Sequence, residues 1–199
     1  MTKPALILGF DTSAAHCAAA LLSGETVLAA RHAEGGRGQV ERLMPLLEDI
    51  LNDAGYAWAD LSAIGVGVGP GNFTGIRISV SAARGLSLAL NIPAIGVSTF
   101  EATRITAPAG TVPTVTAPRD QLYVQLDGQA GKLMQRSEAE ALGQTLVTPP
   151  PPDTLATSIA LVALAKHTMP VPRPAPLYIK AADAAPARDA APVILSDDT

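Results

Sequence analysis

The residue types and spacings that could do chemistry sit in two short segments. Residues 65–79 read GVGVGPGNFTGIRIS. Gly65, Gly67 and Gly69 alternate with Ile64, Val66 and Val68, so an extended strand here has one branched apolar face and one face without side chains. Something must approach that bare face closely. The strand runs into Pro70-Gly71-Asn72-Phe73-Thr74-Gly75, a turn whose glycines admit positive φ and expose backbone N–H groups, ahead of a helical run beginning near Ile76. Strand, glycine turn and helix N-terminus together could cradle an anion or phosphate. The alternating glycines equally suit tight packing of another element. Ile76 and Arg77 follow Gly75 where a P-loop needs Lys-Ser/Thr, and Gly69, Gly71 and Gly75 do not fall as G-x-G-x-x-G, so both common nucleotide loops are excluded.

The second segment is Asp11-Thr12-Ser13. An acid closing a first strand could position Mg²⁺ or water for phosphoryl transfer, or simply cap the following turn through its carboxylate. Ser13, Ser79 and Cys17 have no base visible in the sequence and no G-x-S-x-G elbow. His16, His32 and His167 are not spaced to place two imidazoles on one helix face, so no metal-ligand pattern is present.

The elements that must position these residues begin with strand-like runs at Ala5–Phe10, Cys17–Leu22 and Thr26–His32, joined by short turns as in an antiparallel meander. After Gly35-Gly36-Arg37-Gly38, helical spacing runs from Gln39 to Ala54, with Pro45 expected to bend the axis. The stripe Val40, Leu43, Met44, Leu47, Ile50 is wide enough to serve core packing, with one edge free for a partner. A second helix, Gly75–Leu90, carries a seam of small residues at Ser79, Ala83 and Ser87 on which another helix could lie. A strand at Ala94–Val97 and a capped helix from Ser98 follow. Composition shifts to Pro, Gly and Thr near 107–111, which predicts a boundary: an N-terminal subdomain over 1–106, a reduced one over 107–180, and a flexible tail over 181–199. Strand-like runs at Val112–Thr116, Leu122–Leu126 and Lys132–Arg136, a stiff connector at Pro149–Pro152, a helix at Leu155–His167 and a terminal arm at Pro174–Lys180 complete the reading.

Composition bounds the alternatives. A chain of 199 residues with 48% hydrophobic residues can form a real core, and with 4% aromatics it is built from Ala, Val, Leu and Ile. A net charge of −4 gives no electrostatic reason for tight, direct nucleic-acid binding. A single cysteine excludes an internal disulfide framework and fits a reducing cytoplasm. No targeting run is visible, and Arg77 and Arg84 mark the second helix as a soluble element, so no membrane association is expected.

The opening LILGFDTSAAHCAAALL resembles the first hairpin of the actin-like ATPase superfamily, in which an Asp-Thr-Ser turn reaches phosphate. The run VGVGPGNFTGIRISVSAARGLSLALNIPAIGVSTFEA is similar, almost residue by residue, to the bacterial TsaB (YeaZ) family of tRNA threonylcarbamoyladenosine biosynthesis proteins, with the match close over the N-terminal half. Further on, Thr116-Ala117-Pro118-Arg119-Asp120-Gln121-Leu122-Tyr123 keeps Arg119 and Tyr123 of that family's Asp-Ala-Arg-Arg-Gly-Glu-Val-Tyr motif and loses its leading acid. Pro176-Leu177-Tyr178-Ile179-Lys180 resembles its closing segment, followed by Ala182-Asp183.

The resemblance implies an α/β fold of the actin-like (ribonuclease H-like) type, in two halves with the second reduced. It also implies a non-catalytic role supporting a catalytic paralogue, TsaD, together with the ATPase TsaE, in placing threonylcarbamoyl on the adenosine beside the tRNA anticodon. Expected partners are TsaD and TsaE, or a second copy when alone, with tRNA reached only through the complex. No intrinsic cofactor is expected, and ATP or ADP would bind only within the complex. Partner contacts are expected at Val40, Leu43, Leu47, Ile50, Ile76, Ser79, Ala83 and Ser87, and a remnant phosphate loop at Asp11, Thr12, Ser13, Gly69, Gly71, Thr74 and Gly75. The alternative is a stand-alone small-molecule kinase or ATPase using those loop residues.

Overall fold

The computed structural model describes residues 4–179, so Lys180 and the segment 181–199 lie outside the described residues. β1 (Leu6–Asp11), β2 (His16–Ser23) and β3 (Thr26–Glu34) form the expected antiparallel meander. After α1 (Gln39–Asp53) and a short 3-10 turn, β4 (Ala63–Gly67) pairs parallel to β1, and after α2 (Phe73–Leu90), β5 (Ala94–Val97) pairs parallel to β4. The resulting sheet has the order β3-β2-β1-β4-β5.

Strand alternation divides this sheet cleanly between two cores. Leu6, Leu8 and Phe10 of β1, Ile64, Val66 and Val68 around β4, and Cys17, Ala19 and Leu21 of β2 face α1 and α2. Ile7, Ala18, Ala20, Leu22 and Ala63 face the opposite way. α1 buries Leu43, Leu47, Ile50 and Leu51 in the first core, and Pro45 lies on its exposed side, where water can reach the carbonyl that the ring leaves unbonded. The helix runs on through it.

The second half is small. After α3 (Thr99–Thr106), strands β6 (Val112–Ala117), β7 (Gln121–Val124) and β8 (Lys132–Gln135), a short α4 (Arg136–Glu140) and β9 (Leu146–Val147) give a sheet of order β8-β7-β6-β9. Its own core is Val112, Leu122, Val124 and Ala139. Arg104 of α3 ties the halves together, donating to Gln125 Oε1 at 2.6 Å and to the Gln125 carbonyl at 3.0 Å.

α5 (Pro152–Lys166) then returns to the first sheet. It starts earlier than periodicity predicts, because Pro152 fits a first helical turn, where no N–H is needed. The second sheet begins a few residues beyond 107, at Val112, yet α5, the last helix among the described residues, packs on β1, β2 and β4. Gly9 and Gly65 lie opposite each other in register and make the landing strip. A methyl at Gly65 would sit 2.8 Å from Ala163 Cβ and 2.9 Å from the Ile159 carbonyl, and one at Gly9 would sit 2.6 Å from the Ala156 carbonyl. This is the close approach that the bare strand face demands. Glu101 locks the far end of α5: its Oε1 accepts from Lys166 Nζ at 2.7 Å while Oε2 takes the Ser98 N–H at 2.9 Å. Burial acts to raise the Glu101 carboxyl, but the Lys166 and Ser98 hydrogen bonds outweigh it and hold the group below its ordinary value.

Two substitutions of the same chemistry are expected to have opposite signs. Gly65→Ala should destabilise by about 1–3 kcal/mol through overpacking against α5. Gly85→Ala, in an exposed interior turn of α2 where an added methyl meets nothing within 4 Å, should stabilise by about 0.5–1 kcal/mol. Urea unfolding of both variants checks this; a neutral Gly65→Ala would contradict the packing described.

Candidate functional site

The Asp-Thr-Ser turn follows β1 directly, and the sheet register brings it beside the loop leaving β4. Asp11 is fully buried on the bare-face side, and a methyl at Gly67 would fall on its carboxylate, so Gly67 exists to admit this side chain. Asp11 Oδ2 accepts three bonds at 2.9 Å, from the Ser13 N–H, the Ser13 hydroxyl and His16 Nε2. Asp11 Oδ1 has no partner among the described residues. The turn is thus an Asx turn reinforced by an imidazole from the start of β2. Ser13 gives its hydroxyl proton to Asp11, and His16 is directed to the same oxygen, so neither is arranged to activate a nucleophile. Burial pushes the Cys17 thiol up, which keeps it protonated and unreactive.

The glycine turn closes over this loop from the other side. Thr12 Oγ1 donates to the Gly75 carbonyl at 2.6 Å, and the Asn72 N–H donates to the Ser13 carbonyl at 2.6 Å. An added methyl at Gly75 would lie on the Thr12 carbonyl oxygen, and one at Gly71 would lie 2.3 Å from the Ser13 carbonyl oxygen, so both glycines are required by backbone-to-backbone approach. Asn72 caps α2, its Oδ1 accepting from the Gly75 N–H at 2.9 Å. Gly69 has φ +91°, and its carbonyl accepts from Thr99 N at 2.8 Å. Gln39, at the start of α1, completes the closure: its Nε2 donates toward the carbonyls of Thr12 (3.1 Å), Ala14 (2.8 Å) and His16 (2.7 Å).

The closing segment braces the same turn. Leu177 N donates to the Val68 carbonyl at 2.8 Å, and Arg77 Nε donates to the Tyr178 hydroxyl at 3.0 Å. The Phe73 and Tyr178 ring centroids are 4.8 Å apart, with the Arg77 guanidinium 3.8 Å above Phe73. Beyond lies a cleft of about 860 Å³ between the two sheets, bordered by Ser13, Gly71, Asn72 and Ile76 on one side and by Val115, Ala117, Arg119 and Tyr123 on the other.

The loop residues singled out from sequence therefore converge: Asp11, Thr12, Ser13, Gly69, Gly71 and Gly75 form one junction, with Thr74 exposed at its edge. The expected partner surface needs correction. Leu43, Leu47 and Ile50 of α1 and Ile76, Ser79 and Ala83 of α2 are buried within the chain, where Ser79 Oγ donates to the Gly67 carbonyl at 3.1 Å. Helical periodicity marks an apolar face but not what covers it, and here the chain's own sheet does. Val40 is 62% exposed and Ser87 half-buried, and the outward faces carry Met44 and Leu88 instead. Gln39 and His16 escaped the sequence reading. A lone Gln at a helix start reads as solvated, and only the hairpin register places His16 against Asp11.

Three antiparallel strands extended by two parallel ones, helices on both faces, and an Asp-Thr-Ser turn at the end of the first strand define an actin-like, ribonuclease H-like fold with its second half reduced. The family model described as "TsaD: tRNA N6-adenosine threonylcarbamoyltransferase" matches residues 29–176, and the chain belongs to that family. It is 43% identical over 95 residues to the tRNA threonylcarbamoyladenosine biosynthesis protein TsaB of Escherichia coli, covering 47% of this chain and 40% of that protein. It is 41% identical over 95 residues to the TsaB of Bacillus subtilis, covering 48% and 42%. The chain thus spans under half the length of these curated relatives. Among solved structures it resembles a Pseudomonas aeruginosa protein described as uncharacterized with similarity to peptidase YeaZ, at a TM-score of 0.70 and 25% identity, covering 88% of this chain and all of that one.

Gln39→Leu keeps the bulk but leaves three carbonyls without their donor. It should cost about 1–3 kcal/mol of stability, whereas Arg42→Leu, one turn on and half-buried, should cost less. Equal losses in thermal unfolding would show that Gln39 does not close the junction.

Proposed function

We propose that this chain is a non-catalytic subunit of the machinery that places threonylcarbamoyl on the adenosine beside the tRNA anticodon. In this reading it holds and supports a catalytic TsaD paralogue alongside the TsaE ATPase. The TsaB relatives, whose name places them in threonylcarbamoyladenosine biosynthesis, support the pathway. The observation that carries the supporting role is the filled Asp-Thr-Ser turn: the Thr12 hydroxyl and Ser13 carbonyl bond to α2's first turn, where a phosphate-binding loop must offer free donors. Nucleotide belongs to the assembled complex and tRNA is met through it, in keeping with a chain of net charge −4. The work takes place in the cytoplasm, and no helix among the described residues is long and apolar enough to cross a membrane.

The docking face is the outward side of α1 and α2. Val40 and Met44 lie one turn apart on α1, 62% and 40% exposed, and Leu88 on α2 is 84% exposed. These apolar side chains have no covering element among the described residues and supply the anchors that a helix-on-helix interface needs. Alone, the protein pairs with a second copy through the same face.

Val40→Glu combined with Met44→Glu, and separately Leu88→Glu, should weaken co-purification with the TsaD paralogue by roughly tenfold or more. The unfolding midpoint should not move, since all three side chains are exposed. Unchanged complex formation by both variants would overturn the assigned face. Leu47→Glu is not a useful probe, because Leu47 is fully buried and the charge would unfold the chain.

A further inference from the structure

The cleft between the sheets has two unlike walls. On the first-sheet side the Asn72 N–H and the Thr12 hydroxyl are already bonded across the two turns, to the Ser13 and Gly75 carbonyls, which leaves that wall fewer donors for an anion. On the other side stands the β6–β7 hairpin, whose tip has an unusual backbone: Arg119 and Asp120 are consecutive non-glycine residues with φ of +62° and +52°. Side chains in this left-handed region carry a strain cost and persist only where surrounding contacts hold them. Here Arg136 does so, its Nε donating to Asp120 Oδ1 at 2.7 Å and its N–H to the Asp120 carbonyl at 3.0 Å. Asp120 is thereby committed to Arg136, and Arg119 lines the cleft with no hydrogen-bond or ion-pair partner among the described residues. Val115, Leu133, Leu177 and the rings of Tyr123 and Tyr178 give the same cleft an apolar lining.

We propose that this wall binds a small organic anion with a flat apolar body, its carboxylate or phosphate on Arg119 and its body against Val115, Leu133 and the Tyr123 ring. A guanidinium fork matches either oxyanion with two parallel hydrogen bonds. A volume of about 860 Å³ suits a ligand of that size. The site lies apart from the partner face on α1 and α2, and it shares its cleft with the junction at Asp11, whose Ser13 and Gly71 border the opposite wall.

Titration of the full chain with 2-naphthoate and 2-naphthyl phosphate, followed by amide shifts, tests it. Both ligands should saturate, with the shifts centred on residues 115–123, and the tighter one identifies the preferred anion. Arg119→Asn, a residue that tolerates the left-handed backbone and so preserves the hairpin, should weaken binding by roughly tenfold or more. 2-Naphthol, the same body without the charge, should lose affinity similarly, and inorganic phosphate alone should not saturate. The proposal is overturned if neither naphthyl anion saturates, if Arg119→Asn or 2-naphthol binds as tightly, or if inorganic phosphate saturates by shifting Thr12 to Gly75 instead.

Discussion

The structure depends on a lane without side chains across the middle of the first sheet. Gly9 on β1 and Gly65 on β4 stand side by side in register, and Gly67 continues the lane toward the strand ends. Over the first pair α5 lies so close that its Ile159 and Ala156 carbonyls occupy the space of the missing methyls. Over the last, the carboxylate of Asp11 does the same. One steric rule, that only glycine leaves this volume empty, therefore positions both the helix that seals the second core and the acid that organises the loop. The alternate residues Ile64, Val66 and Val68 are free to be large, and they fill the opposite core beneath α1 and α2.

From Asp11 the closure spreads through hydrogen bonds. Its Oδ2 gathers Ser13 and His16, Thr12 and Ser13 reach the first turn of α2, and Gln39 gathers three carbonyls of the same loop. The pieces of a phosphate cradle are all present, a strand, a glycine turn and a capped helix, but they are folded against each other. The glycines that suggest room for a ligand are used to bring backbone to backbone, at Gly71 against Ser13 and at Gly75 against Thr12. This use of the loop for the chain's own packing is the observation on which the proposed supporting role rests.

Much of this was legible in the sequence because short-range rules govern it. The meander followed from alternation and tight turns, α2 from the glycine turn and the small-residue seam after it, although the helix starts two residues before the expected Gly75, at Phe73 under the Asn72 cap, and the bare strand face from three glycines two residues apart. The motif at Gly65 to Ser79 identified the family. What stayed hidden depends on distant register. Nothing local in Leu155–His167 tells that α5 leaves the second half and lies on Gly9 and Gly65. Nothing near Leu43, Leu47 or Ala83 distinguishes a face covered by the chain's own sheet from one awaiting a partner. Gln39 and His16 likewise acquire their roles only when α1 and β2 converge on the turn at Asp11.

In this structure the Thr12 and Ser13 hydroxyls and the Ser13 carbonyl are spent within the chain, Asp11 Oδ1 alone is left without a partner among the described residues, and the Asp-Thr-Ser turn is proposed to take no phosphate. Titrating Mg²⁺-ATP into the isolated protein, with amide shifts and phosphate release followed together, tests it most directly. The amides of Thr12, Ser13, Gly71 and Gly75 should stay unmoved, and no phosphate should be released. Saturable shifts at those four residues, or steady ATP turnover, would contradict it.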